Sequence, residues 1–490
     1  MMFGLFLRRP GQAGSQGAGR QDPNCKFLYQ SEGMTESRES FSGSTQESAG
    51  IQARYDPCVQ FQDVLRRNRQ FGNAGVYAVC SSHAQVIDAA IQQSIEDKSI
   101  LHVESTSSQV NQFGGYSGQT PQQFAHFVTS TAQRAGLPAG RVLLGGDHLG
   151  PFPWRSEASD SAMDKACELV RSCVLAGYQK IHLDPSMPCA DDEEARLDDL
   201  TIASRAAVLC EAAEKASREL SSGSTQPVYV IGTEVPAPGG EALGAQGPTV
   251  TAADDVHRTL EVFHEAFLQR GLSSAWERVV ALVVQSGVDF AADAVFDYDG
   301  SKARFLSAAL ATHDGIVYEG HSTDYQSDGS LAQMVRDHFA ILKVGPWLTF
   351  AFREAVLALG TIERELLKTS RQHHLSQMRE ALEAAMLRNP THWRPYYHGA
   401  EEDVRRDLMY GYSDRCRYYW HEPVVQKEMD RLFQNLATSP ISPTLISQYL
   451  PEEYKAIRTG RLQPVPEQMI QEHIRQVLRI YAAACTQAAM

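Results

Sequence analysis

Long apolar runs, basic clusters and phosphate-loop motifs are all missing from this sequence, and each absence removes a class of function. No stretch approaches the ~18 consecutive apolar residues of a membrane-spanning helix, so no membrane partner is expected. Lys and Arg total 45 against 59 Asp and Glu, a net charge of -14, and no basic cluster is interleaved with aromatics. Such a surface repels a phosphate backbone, which excludes nucleic acid as a partner. Neither GxxxxGK[ST] nor GxGxxG after a strand occurs, so a nucleotide-dependent kinase or dehydrogenase lacks its usual loop. The nine cysteines are scattered without CxxC spacing and read as reduced, structural thiols of a cytoplasmic protein. The opening MMFGLFLRR puts apolar residues ahead of arginines, the wrong order for a secretory signal. Residues 1–33 read either as a targeting segment or as an upstream mis-start ahead of Met34.

What is present is a globular composition, 43% hydrophobic and 21% charged, long enough for one large barrel and an appendage. Residues 1–55, rich in Gly, Ser, Gln and Glu, cannot bury enough apolar area to offset chain entropy and are expected to form a disordered tail. From residue 75 short β-rich runs alternate with amphipathic helical stretches such as 197–220 and 347–368. The runs are GVYAVCSS, SILHVEST, RVLLGGDH, KIHLDPS, PVYVIGTE, RVVALVVQSG, GIVYEGHS and AILKVGP. About eight β/α units predict an α/β fold, a (β/α)₈ TIM barrel over residues 56–370. Residues 371–490 read as a helical C-terminal domain, with Tyr418, Tyr419 and Trp420 as helix surface and core.

A barrel carries its active site at the C-terminal strand ends, and there this sequence concentrates its polar residues. Nearly every apolar run ends in an ionisable or amide side chain: Glu104, Asp147-His148, His182 and Asp184, Glu234, Gln285, His321, Lys343. His148, His321 and Glu234 make a candidate facial site for a divalent metal, with zinc expected. Asp147 is the candidate general acid/base, with Glu234 or Asp184 as a second proton carrier. Glu104, Ser186, Gln285, Asp324 and Lys343 are candidate substrate contacts. Three candidates have a plainer reading: Glu234 as a loop cap, Lys343 as the partner of a carboxylate inside the barrel, Glu104 as part of a packing network. His182 reads as hydrogen-bonded structure rather than ligand. The glycines Gly145 and Gly146 predict a relaxed strand end that lets Asp147 and His148 both reach the mouth.

The stretches LLGGDHLGP, AGYQKIHLDPSM, EGHSTDYQ, LKVGPWLTFAFREAVLALG, YSDRCRYYW and ISQYLP resemble the non-catalytic, Z-type subunit of class II tagatose-bisphosphate aldolase, a family also labelled tagatose 6-phosphate kinase. The resemblance runs from about residue 75 to 455. It implies a barrel similar to class II aldolases, whose Asp-then-His motif falls on Asp147 and His148, whose acidic segment is similar to TEVPAPGGE with Glu234, and whose late histidine falls on His321. A further histidine ligand of that pattern falls on Gln285, a poorer donor. Where those aldolases follow the late histidine with a glycine-rich phosphate loop, this sequence has Ser322-Thr323-Asp324, and Asp324 repels phosphate. The implied function is support of a catalytic class II aldolase subunit in ketohexose-phosphate catabolism, with a sugar or sugar phosphate as ligand. The alternative is a free-standing metal-dependent ketose 4-epimerase acting on tagatose or fructose. Either admits a homo-oligomer.

Overall fold

The computed structural model describes residues 56–193, 196–221, 224–233, 247–369 and 374–487. The N-terminal tail, the boundary near residue 370 and Glu234 lie outside the described residues. Every one of the eight β-rich runs is a strand. They are β1 (Val76–Cys80), β2 (Leu101–Thr106), β3 (Val142–Leu149), β4 (Lys180–Leu183), β5 (Val228–Ile231) and β6 (Val279–Val283). After a two-stranded antiparallel ribbon of β7 (Asp289–Phe290) and β8 (Val295–Phe296) come β9 (Val317–Gly320) and β10 (Phe339–Val344). Paired in parallel in the order β1-β10-β9-β6-β5-β4-β3-β2, the eight close into a barrel. The helices expected at 197–220 and 347–368 span Asp199–Glu219 and Pro346–Leu367.

Both faces of such a strand are buried, so polar/apolar alternation sorts side chains between the barrel interior and the helical jacket. In β4, Ile181 and Leu183 pack into the large core shared with the helices. Lys180 and His182, on the other face, meet charged groups of β2, β3 and β9 inside the barrel. A second apolar core fills one end of the interior, where Cys58, Phe61 and Leu65 join Val76, Ala78, Leu143, Val230, Ala281 and Ile341. The helix Pro57–Phe71 that brings them starts on Asp56, whose carboxylate accepts the Cys58 and Val59 amides, and stops at Gly72 with φ 60. Full burial of Phe61 alone contributes about 2–3 kcal/mol. Its ring meets that of His102 at 5.3 Å, where the apolar plug gives way to a polar layer.

Helices after residue 374 join the barrel in one compact unit, residues 50–490. The last, Pro466–Gln487, buries Met469, Ile470, Ile474, Leu478 and Tyr481 at helical spacing against the helices Ala84–Asp97, Asp328–Arg336 and Pro346–Leu367. Its Tyr481 hydroxyl donates to the Thr323 carbonyl at 2.7 Å, and the Gly75 amide donates to Cys485 at 3.1 Å, tying it to both ends of the barrel sequence. No helix among the described residues is long and apolar enough to cross a membrane.

Candidate functional site

Above the apolar plug, five inward side chains form a buried polar layer, with Lys343 at its edge on the cavity. Lys180 lies 2.7 Å from Glu104 and 2.6 Å from Glu319, His102 lies 2.7 Å from Glu104, and Lys343 contacts Glu104 and stands 3.0 Å from Asp147. Burial and the two lysines push His102 well below its usual range, so it is neutral. For Glu319 burial acts upward, but Lys180 and His321 outweigh it and hold the carboxyl at about 2. Burial lowers Lys343 to about 8.

One step nearer the mouth, three imidazoles converge from β3, β4 and the end of β9. Ring centroids of His148, His182 and His321 are 4.9 to 5.2 Å apart. Each ring touches a carboxylate through one nitrogen: His148 Nδ1 lies 2.7 Å from Asp184, His182 Nδ1 3.0 Å from Asp147, and His321 Nε2 3.0 Å from Glu319. That leaves His321 Nδ1 and His182 Nε2, the latter buried without a hydrogen-bond partner, while His148 Nε2 lies 3.8 Å from Asp147 and the His148 amide donates to His182 Nδ1 at 3.2 Å. A tetrahedral zinc with bonds of ~2.1 Å to three imidazoles sets their centroids ~5.2 Å apart. Ring spacing alone admits a divalent metal, but the ligating atoms that lie within 4.8 Å of one another are those of Asp147, His182, Glu319 and His321, so these four are the group that could hold one, with His148 beside it.

The backbone explains how neighbours in sequence reach one mouth. The β3 register breaks between Gly146 and Leu149, and His148 takes φ 47, left-handed and strained for a side chain. This bulge turns Asp147 and His148 toward the same space, as the preceding glycines led one to expect; both line the cavity. A Cβ on Gly145 would sit 2.8 Å from Glu104 Cγ, and one on Gly150 only 1.8 Å from the Asp184 carbonyl oxygen. Ser322, after His321, has φ 53.

Burial opposes charge on His148, but Asp147 and Asp184 outweigh it and raise the imidazole to about 9. Against their own burial, His148, His182 and His321 hold Asp147, and His148, His182 and Ser186 hold Asp184, well below the carboxylate range. The cavity above encloses about 990 Å³. Barrel loops build one side, and Thr391, His392, Arg415, Arg417, Tyr418 and Trp420 from the C-terminal helices build the other.

A family model described as D-tagatose-1,6-bisphosphate aldolase subunit GatZ/KbaZ-like matches residues 61–486. The chain belongs to this family. A probable tagatose 6 phosphate kinase from Sinorhizobium meliloti 1021 is 41% identical to this family member, over 84% of this chain and 100% of that one, with a TM-score of 0.76. The YdjI aldolase from Escherichia coli K12 matches at 12% identity over 77% and 98% of the two chains, with a TM-score of 0.37. Fructose-bisphosphate aldolase from Campylobacter jejuni matches at 13% over 78% and 95%, with a TM-score of 0.40.

Of the residues expected at the site, Asp147, His148, His321, Lys343 and Asp324 line the cavity. Asp184 stands behind His148, and Ser186 holds Asp184 through its hydroxyl and its amide. Glu104 lies below, in the polar layer, paired with Lys343 as the plainer reading of that lysine anticipated. Gln285 turns back to accept the Gly287 amide at 2.8 Å and does not line the cavity. Asp324 accepts the Gly345 and Trp347 amides at 3.0 and 2.8 Å, capping the helix Pro346–Leu367. It occupies the amides that would otherwise face an anion, and burial raises its carboxyl to about 6. His182, read from the sequence as hydrogen-bonded structure, contacts Asp147 and joins the cluster, whereas the sequence does not single out Glu319. Alternation in doubly buried strands carries the signal, with Lys180 and His182 on one face of β4 and Glu319 two residues before His321 at β9.

Proposed function

We propose that this chain is a Z-type subunit that supports the activity and stability of a catalytic aldolase partner in ketohexose-phosphate catabolism, and that its barrel mouth binds a ketose on a divalent metal, zinc by donor type. The observation that carries the second part is the convergence of His148, His182 and His321, each backed by a carboxylate. Family membership supports the first part. When bound, the metal would polarise a carbonyl or hydroxyl oxygen. Asp184 fixes the His148 ring, as Glu319 does that of His321. Asp147, ionised and open to the cavity, is the group that takes a proton, and Lys343, 3.0 Å from it, is placed to hold one.

A second reading, a free-standing ketose 4-epimerase, is favoured by that same intact set of donors and proton carriers, because a purely supporting subunit has no need of them. Metal content of the purified chain, followed by incubation with tagatose or fructose alone and with a catalytic aldolase subunit, tests both. Turnover only when the partner is present supports the subunit reading, and turnover alone supports the epimerase. Absence of bound divalent metal after growth in zinc-supplemented medium would refute the metal site.

A further inference from the structure

Beside the histidine cluster, the barrel register sets a second group of donors on adjacent strands. Cys80 ends β1 opposite Glu104 of β2, and Glu104 in turn pairs with Gly145, two residues before Asp147 on β3. One donor atom each of Cys80, Glu104 and Asp147 lie within 4.8 Å of one another, and Cys80 and Asp147 line the cavity. Bonds of ~2.0 to 2.3 Å from one divalent ion to oxygen and sulfur set its donors roughly 3.5 to 4.5 Å apart, close to this spread. A thiol with two carboxylates is a donor set that suits zinc or cobalt.

A cation of the chain itself already stands among these donors. Lys343 comes from β10, the other neighbour of β1, and its ammonium contacts Glu104 and stands 3.0 Å from Asp147. Burial lowers Lys343, and the Cys80 sulfur beside it acts the other way. Burial also pushes the Cys80 thiol up, so the sulfur is neutral there. The charges of two alternative occupants therefore match. One ammonium beside a neutral thiol carries the same net charge as a divalent ion bound to a thiolate, the thiol proton leaving as the metal bonds form. The buried carboxylates meet the same total charge in either case.

We propose that Cys80, Glu104 and Asp147 form a second cation site beside the histidine cluster, and that in the native chain the Lys343 ammonium fills it in place of a divalent ion. Asp147 belongs to both groups, so its ionised carboxylate bridges this built-in cation and the exchangeable ion of the metal site proposed above. The mouth then carries two positive centres while taking up one ion. Lys343 lines the same cavity, so a ligand oxygen that gains negative charge at the cluster has the ammonium as a second partner. Only the number of ions bound by the native chain rests on the earlier metal reading; the second site stands on its own donors.

Cobalt content and absorption of the full chain test it, because a thiolate ligand gives cobalt a near-ultraviolet charge-transfer band that imidazole and carboxylate ligands do not. The native chain is expected to bind one cobalt without the band. Lys343→Ala should bind one more, with the band, and adding Cys80→Ser should remove both. Lys343→Arg, which keeps the charge, should stay at the native count. Lys343→Ser carries the same expectation as the alanine variant and serves should that one misfold; failure of both to fold in cobalt-supplemented medium, where the ion would replace the lost charge, overturns the proposal. So does an unchanged count in either folded variant, a band in the native chain, or an extra ion that survives Cys80→Ser. A native chain free of cobalt whose Lys343→Ala variant binds one with the band leaves this site standing and sinks the metal at the histidine cluster.

Discussion

Lys180→Met probes the polar layer that separates the apolar plug from the histidine cluster. The Lys180 ammonium stands 2.7 Å from Glu104 and 2.6 Å from Glu319, and all three side chains are 0% exposed. At an effective dielectric constant of about 20, each contact is worth about 6 kcal/mol of Coulomb attraction, most of it offset by the desolvation of the charges. Methionine fills similar volume, so the loss is electrostatic. Two buried carboxylates remain, compensated by Lys343, by the neutral His102 on Glu104 and by His321 on Glu319. Stranding buried charge in this way costs about 3–5 kcal/mol. In a urea titration of the full chain followed by tryptophan fluorescence, that loss should move the midpoint down by about 1 M. Adding Glu104→Gln should recover part of it, because one stranded charge is then neutral. A single-variant loss below about 1 kcal/mol would mean that the layer is hydrated or relaxes freely, and would refute this account of the barrel interior.

Further expectations follow from the same geometry. Asp184→Asn should weaken zinc binding by about 10–100-fold with little change in melting temperature, read by competition with a chromophoric chelator, because it removes only the orienting partner of His148. Asp147→Asn should leave the metal bound and abolish any epimerisation of tagatose to fructose, followed by chromatography of the sugars. Gly150→Ala places a Cβ 1.8 Å from the Asp184 carbonyl oxygen and should destabilise by more than about 3 kcal/mol in thermal unfolding, since backbone must shift on both strands. His473 bridges Glu453 at 2.8 Å and Glu354 at 3.4 Å, and these carboxylates outweigh burial to raise it to about 9 from 6.5. A folded value above the unfolded one means its contribution, about 2 kcal/mol allowing for partial exposure, is complete below pH 6.5 and lost as pH rises through 9. Melting curves from pH 6 to 10 should show this decline, and His473→Gln should flatten it.

The barrel was legible in the sequence because β/α alternation is a local, repeated signal, and eight copies of it leave little else to build. The meeting of His148 and His321 was legible for a related reason: strand ends of a closed barrel share one mouth. The glycines before Asp147 announced the bulge, since a backbone that must pass 2.8 Å from a Glu104 side chain tolerates no Cβ. A single histidine in a strand looks the same whatever it touches, so the sequence reading assigns His182 a hydrogen bond without a partner. Only barrel closure, which sets His182 beside Asp147 of the neighbouring strand, supplies that partner. Asp324 shows the opposite limit: its charge was visible, but its partners, the amides of Gly345 and Trp347, lie on the next β/α unit and come to it only through the fold. Arg415 and Arg417 are the extreme case. They stand more than 200 residues from Asp147 in the sequence, and nothing in YSDRCRYYW marks them for the cavity. Local chemistry determined the strands, their ends and the acid-and-histidine content of the mouth. Packing of the C-terminal helices over that mouth decided which distant side chains face it, because such contacts depend on long-range burial that no local pattern encodes.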